Sequence, residues 1–140
     1  MPRHTEESGE LYDDFVAALR QAAQVDGYAI RETYGQAQLL RIDGPRRAYI
    51  NVRTDAKGGG WWGFTKNVED DLKKRGNKWF FVLLESTPGE GYMLSDVEVA
   101  SAKTRWDDGG RQYIIHPTIL RDLWRFRGIE SLWGRRKSRL

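Results

Sequence analysis

The chain has 140 residues, of which 39% are hydrophobic and 31% charged, and this composition predicts one soluble globular domain over residues 1–140. The lack of cysteine excludes disulfides and thiolate zinc sites, and two histidines are too few for a His-rich metal centre. No apolar run reaches the roughly 20 residues of a membrane span, and the first ten residues lack an apolar signal region. We therefore expect a cytoplasmic protein without a membrane partner.

The first part of the chain predicts a helix followed by three strands. Apolar residues recur on one helical stripe over residues 9–24. Strands are expected near 28–33, 36–42 and 47–54, and the last two are joined by a tight turn at 43–46, which contains glycine and proline.

The second part predicts a glycine-rich loop over 57–63, a helix over 65–75 and a strand over 78–84. The strand is apolar on both faces, so it should be a central strand covered on two sides. Smaller elements follow: short strands near 92–94 and 113–115, one or two helical turns over 96–103 starting at an Asp96 cap, and a helix over 118–127. The order predicts a mixed α/β (α+β) fold, a mixed central sheet flanked by helices.

The predicted hairpin carries a possible functional site. With Gly44 and Pro45 at the turn centre, Gln38 pairs with Asn51 and Gln36 pairs with Arg53. Side chains alternate between faces, so these four polar residues would share one face. The opposite face would hold the core residues Ala37, Leu39, Ala48, Ile50 and Val52.

The element order resembles the αβββαβ core of the PD-(D/E)XK restriction-endonuclease-like family over roughly residues 9–95. In that family the third strand reads Glu-x-Lys, commonly followed by Ser or Thr, and Asn51-Val52-Arg53-Thr54 is similar in pattern and place. The resemblance implies a role in nucleic-acid processing or in defence against foreign DNA.

The motif departs from the family at each chemical position. Asn51 and Arg53 replace the acidic residue and the lysine of the family. Gln36 or Gln38 lies near the position of the family's second-strand aspartate. Magnesium prefers carboxylate oxygens, and arginine cannot act as a base. We therefore predict a DNA-binding protein with a degenerate catalytic site and no cofactor, in which Arg53 holds a phosphate.

An active nuclease remains an alternative. Asp55-Ala56-Lys57 is a literal Asp-x-Lys, and Glu10 on the first helix could join it in a migrated magnesium site if the strand register were shifted. The sequence leaves catalysis open and favours a non-cleaving role.

The last 20 residues, 121–140, carry seven basic against two acidic residues. This charge predicts contacts with phosphates, although a solubilising tail has the same composition. The nucleic-acid contacts predicted beyond the hairpin are Trp61, Arg125, Arg135, Arg136 and Lys137. The mixture of arginine and aromatic residues equally suits a protein interface, so a homodimer or a partner protein bound through this segment is a further alternative.

Overall fold

A long helix and an antiparallel meander begin the fold. The computed structural model describes residues 6–33, 38–54, 61–85 and 89–138, with residues 6–8 and 136–138 described by their backbone alone. The first elements are α1 (Glu6–Val25), β1 (Ala29–Glu32), β2 (Leu39–Asp43) and β3 (Ala48–Thr54). They are followed by β4 (Trp62–Thr65), α2 (Lys66–Arg75), β5 (Lys78–Leu84) and β6 (Glu90–Ser95). The remaining elements are α3 (Asp96–Ala102), β7 (Asp107–Asp108), β8 (Gln112–Ile115), β9 (Arg125–Arg127) and α4 (Ile129–Ser138).

The strands form two sheets. The larger sheet has the order β1-β2-β3-β5-β6-β9, in which only the β3–β5 pair is parallel, and the smaller sheet has the order β4-β8-β7. The parallel pair requires a crossover, which β4 and α2 supply between β3 and β5. The predicted mixed sheet with flanking helices is therefore confirmed.

The central strand β5 separates two hydrophobic cores. Every residue after Lys78 in this strand is buried. Phe80, Val82 and Leu84 face the core beneath α1 and α4, whereas the alternate residues face the core beneath α2 and the small sheet. This two-sided burial explains the continuous apolar run and confirms the prediction of a covered central strand.

The helix boundaries follow local capping chemistry. Helix α2 ends at Gly76, whose φ of 73° is in the left-handed region that glycine adopts without strain. Helix α3 begins after Ser95, which accepts a hydrogen bond from the Glu98 amide while the Glu98 side chain accepts one from the Ser95 amide. The N-cap is therefore Ser95 rather than the predicted Asp96, because Ser95 and Glu98 have the spacing of a capping box.

The predicted helix over 118–127 is wrong. Two short 3-10 helices, Pro117–Ile119 and Asp122–Trp124, precede strand β9. In β9, Phe126 is buried between Arg125 and Arg127, which is the alternation of a strand, and the strand pairs with β6.

Helix α4 was not predicted, because Gly134 and the basic residues that follow it obscure the apolar positions of its first half. Its apolar residues Ile129, Leu132 and Trp133 lie three and four positions apart and pack on the core beneath α1. The Trp133 indole N–H donates to Asp26 at 2.7 Å. No helix among the residues described is long and apolar enough to cross a bilayer.

Candidate functional site

The motif at Asn51-Val52-Arg53 lies in the second half of β3, beside β5. Val52 points into the core beneath α1, and the alternation of the strand places Asn51 and Arg53 together on the opposite face. Their parallel partners on β5 are Phe81 and Leu83. The predicted sharing of one face by Asn51 and Arg53 is therefore confirmed.

Asn51 is a fixed part of this site. Its side chain is 1% exposed, and its Nδ2 donates to the carbonyl oxygen of Gln38 at 3.2 Å. The same carbonyl accepts the Val52 amide at 2.9 Å. A buried amide with a satisfied donor is held in one orientation, because breaking the bond would leave a polar group unpaired.

The predicted hairpin register is wrong by one residue. Leu39, not Gln38, pairs with Asn51, and Ile42 pairs with Ala48, so Pro45 is the centre of an odd-numbered turn. A slip of one residue exchanges the two faces of a strand. Leu40 consequently joins Ile50 in the core beneath α1, and Leu39 leaves the core face predicted for it.

Gln38 is part of the reason for this difference. It has a φ of 60°, in the left-handed region, and belongs to a turn that ends where β2 begins. Gln38 is buried and reaches Asn51 through its backbone carbonyl rather than as a cross-strand neighbour. Gln36 lies outside the described residues, so its predicted pairing with Arg53 stays a prediction.

Arg53 carries a charge that has no counter-charge among the described residues. Its side chain is partly buried, and none of the residues that the structure describes forms a hydrogen bond or an ion pair with it. Burial lowers the pKa of Arg53 from its ordinary value, although a guanidinium stays protonated in proteins. Within the described part of the chain, the site therefore holds a partly desolvated cation whose hydrogen-bond donors have no partner.

The described donors at this site do not fit a magnesium ion. The Gln38 carbonyl already accepts two hydrogen bonds, Asn51 offers one neutral oxygen rather than a carboxylate, and Arg53 would repel a cation. Within residues 6–33, 38–54, 61–85 and 89–138, no group of three His, Asp or Glu residues could hold a metal. Glu10 is exposed on α1, and Asp55 and Lys57 lie outside the described residues, so the migrated site stays a prediction.

The predicted nucleic-acid contact of Trp61 stays a prediction. Trp61 is partly buried just before β4, whereas its neighbour Trp62 is buried within the strand. The Trp62 indole N–H donates to the Leu84 carbonyl at 3.0 Å, which ties β4 to the end of β5. The predicted glycine-rich loop therefore ends at Trp61, and Trp62 belongs to the core.

Two arginines of the C-terminal segment that were predicted to contact phosphates form contacts within the protein. The Arg125 guanidinium lies 2.8 Å from Glu85 and donates to the Tyr92 hydroxyl at 3.1 Å. Arg135 donates to three backbone carbonyls, those of Leu123, Trp124 and Arg125, at 3.2, 3.0 and 2.7 Å. These contacts favour a structural role for both arginines. Arg136 and Lys137 lie on α4, in the part described by backbone alone.

One group of charges was missed by the sequence analysis, which treated Asp43 only as a turn residue. Asp43 ends β2 and lies within 3.3 Å of three arginine Nε atoms, those of Arg31, Arg41 and Arg47. The signal available in the sequence was the alternation Arg41-Ile42-Asp43, which puts an arginine and the carboxylate on one face of a strand.

This architecture is similar to that of a solved structure. The solved structure of the Holliday junction resolvase Hjc from the archaeon Archaeoglobus fulgidus superposes with a TM-score of 0.53 over 81% of this chain and 87% of the resolvase, at 10% sequence identity. No protein-family model and no curated protein matches the sequence. The chain therefore has a restriction-endonuclease-like fold with the αβββαβ core, which confirms the predicted fold class.

Proposed function

We propose that this protein binds DNA without cutting it, and that Arg53 contacts a phosphate group at the place where related nucleases hold a metal ion. The observation that carries the proposal is the partly buried guanidinium of Arg53, which has no partner among the described residues. A resemblance in fold alone does not define a function, so the proposal depends on this site.

The energetics of Arg53 favour an anionic ligand. Desolvating a charge is costly unless the charge is paired and hydrogen-bonded. A phosphate accepts two parallel N–H bonds from one guanidinium, and such bidentate pairs are among the strongest hydrogen bonds in proteins. A phosphodiester at Arg53 would supply the counter-charge that the described residues do not. Asn51, fixed by its bond to Gln38, would keep the surrounding strand rigid.

The type of DNA to test follows from the structural neighbour. That protein is described as a Holliday junction resolvase, so branched DNA is a natural probe beside linear duplex. The phosphate contact proposed for Arg53 reads the backbone and therefore requires no base sequence.

The binding experiment compares Arg53→Met with wild type on a labelled 30-base-pair duplex and on a four-way junction. We expect Arg53→Met to weaken binding about tenfold and to reduce the slope of log affinity against log salt by about one, the effect of one lost phosphate contact. The matched control is Arg105→Met, because Arg105 is exposed and forms no hydrogen bond or ion pair within the described part of the chain. Equal affinities for the two variants would remove Arg53 from the interface.

Incubation of the same DNA with magnesium or manganese tests the absence of cleavage. We expect no product, because the described residues at the site lack the carboxylates that hold these ions. Cleavage that disappears in Asp55→Ala would instead support the migrated site of Glu10, Asp55 and Lys57 and would overturn the non-cleaving role.

A further inference from the structure

Three arginines gather around one carboxylate at the free edge of the large sheet. We name Arg31, Arg41 and Arg47 together with Asp43 the arginine cluster. The Nε atoms of the three arginines lie 3.3, 3.0 and 3.2 Å from the Asp43 carboxylate. One negative charge is shared by three positive charges, so the cluster keeps an excess of two positive charges.

The geometry leaves most of the donors in this cluster unused. Each arginine meets Asp43 through Nε, and within the described residues none of their terminal Nη groups forms a hydrogen bond. The Arg31, Arg41 and Arg47 side chains are 62%, 37% and 52% exposed. Asp43 therefore holds the Nε side of each guanidinium and leaves the terminal Nη donors facing solvent.

The cluster places two arginines side by side on neighbouring strands, which is energetically unfavourable. Arg31 and Arg41 are direct partners on β1 and β2, and like charges in this position destabilise a sheet. Asp43 offsets part of that repulsion. A surface that concentrates guanidinium groups despite this cost is typical of anion recognition, and the planar donors fit phosphate oxygens.

The cluster lies on the same side of the large sheet as the proposed phosphate site, toward the other end of β3. On β2, Arg41 is two residues from Leu39, the partner of Asn51, so the alternation of the strand places Arg41 on the side of Asn51 and Arg53. Arg41 itself pairs with Tyr49, four residues before Arg53, which separates the two positions by roughly 13 Å along the strand. Leu39 and Tyr49 are buried between them in the core beneath α2, so a DNA molecule that reaches both positions passes outside this core, and with a phosphate for each 3.4 Å of rise on each strand it is long enough to do so.

We infer that the arginine cluster is a second contact for the DNA backbone, separate from Arg53 and located at the edge of the sheet. This inference rests on the proposed function. Its ligand is a phosphodiester backbone, recognised by charge and by the outer guanidinium donors and without regard to base sequence.

The test compares two double variants of equal charge change on the duplex probe. Arg31→Ala/Arg47→Ala removes the two most exposed arginines of the cluster and leaves Arg41 to pair with Asp43. The control, Arg105→Ala/Arg111→Ala, removes two exposed arginines elsewhere. We expect the cluster variant to bind at least tenfold more weakly than the control and to show a salt slope lower by about two.

The outcomes separate this inference from the proposed function. If Arg53→Met weakens binding while the two double variants bind equally, the cluster is not a contact and the function at Arg53 stands. If the wild type binds no DNA, both are overturned, and binding of an acidic protein would become the alternative use of the cluster. If the double variant fails to fold, the single variants Arg31→Gln and Arg47→Gln repeat the comparison, each with an expected slope change of about one.

Discussion

Two charged residues on the α2 side of the large sheet have opposite surroundings. Glu69 of α2 is 5% exposed, with its carboxylate 2.7 Å from Lys103 Nζ and 3.8 Å from Lys73 Nζ. Arg53 of β3 is partly buried and has no counter-charge among the described residues. Among the described residues, the buried charge of Glu69 is therefore neutralised internally, whereas the partly buried charge of Arg53 is not.

This difference separates a charge that maintains the fold from one that we propose binds a ligand. A paired buried charge is destabilising to disrupt, because the remaining partner is left without compensation. An unpaired charge already carries its cost in the free protein, and an anion that pairs with it regains that energy on binding. Arg125 and Arg135 belong with Glu69, since Arg125 forms an ion pair with Glu85 and Arg135 donates to backbone carbonyls of the chain.

The largest effect is expected from Lys103→Ala. The variant leaves the buried Glu69 carboxylate with only the distant, exposed Lys73, and we expect the free energy of unfolding to fall by about 3 kcal/mol. The measurement is urea unfolding followed by tryptophan fluorescence. Lys73→Ala is the control and should cost less than about 0.5 kcal/mol, as exposed ion pairs do. Equal losses in the two variants would show that Glu69 does not depend on Lys103.

A smaller loss is expected for Arg135→Ala. The side chain donates to the three carbonyl groups of Leu123, Trp124 and Arg125, and we expect the variant to lose about 2 kcal/mol of stability. Arg127→Ala, which removes an exposed arginine of β9, is the control and should be nearly neutral. DNA affinity measured on the folded variant should change no more than in this control, whereas a specific tenfold loss would restore Arg135 as a phosphate contact.

The sequence predicted the fold because its main signals are local. The amphipathic stripe of α1 and the apolar run of β5 depend on residues close together in the chain, and both elements formed as expected. Gly76, which ends α2, acts through its own backbone conformation, so the end of this helix could also be predicted from the sequence.

The site was less predictable because it depends on distant contacts and on one turn. The register of β2 was set by the odd-numbered turn around Pro45 and by the left-handed conformation of Gln38, neither of which alternation reveals. The partners of Arg135 are carbonyls of the 3-10 turn and of β9, which no spacing rule connects to α4. The motif Asn51-Val52-Arg53 was found because its two polar residues share a face whatever the register.

In contrast to Lys103→Ala, we expect Arg53→Met to stabilise the protein. Removing a partly desolvated charge and substituting an apolar side chain of similar length should raise the free energy of unfolding by about 1 kcal/mol, while DNA affinity falls. Urea unfolding in buffer without DNA measures the first effect. The control Arg53→Lys keeps the charge and should show no gain in stability. A loss of stability in Arg53→Met would show that Arg53 is a structural residue with contacts inside the protein.

The smallest effect is expected at the surface, where Lys66 Nζ lies 2.8 Å from both carboxylate oxygens of Asp108. Hydrogen bonds from Lys66 and from the Gly110 amide lower the pKa of Asp108 from its ordinary value of 3.8. A lowered pKa in the folded state means that the stabilisation is present above pH 3.8 and is lost as the pH falls through the lower, folded value.

Asp108→Asn keeps a side-chain acceptor for Gly110 and removes the charge. Its urea midpoint should therefore lie slightly below that of the wild type at pH 7. The difference should be smaller than for Lys103→Ala or Arg135→Ala, and this gap between the midpoints should close in acid. The gap at pH 7 should also shrink in 1 M salt, because both groups are exposed and screened. A gap that persists in acid and in salt would mean that Asp108 contributes through its shape and hydrogen bonds rather than through its charge.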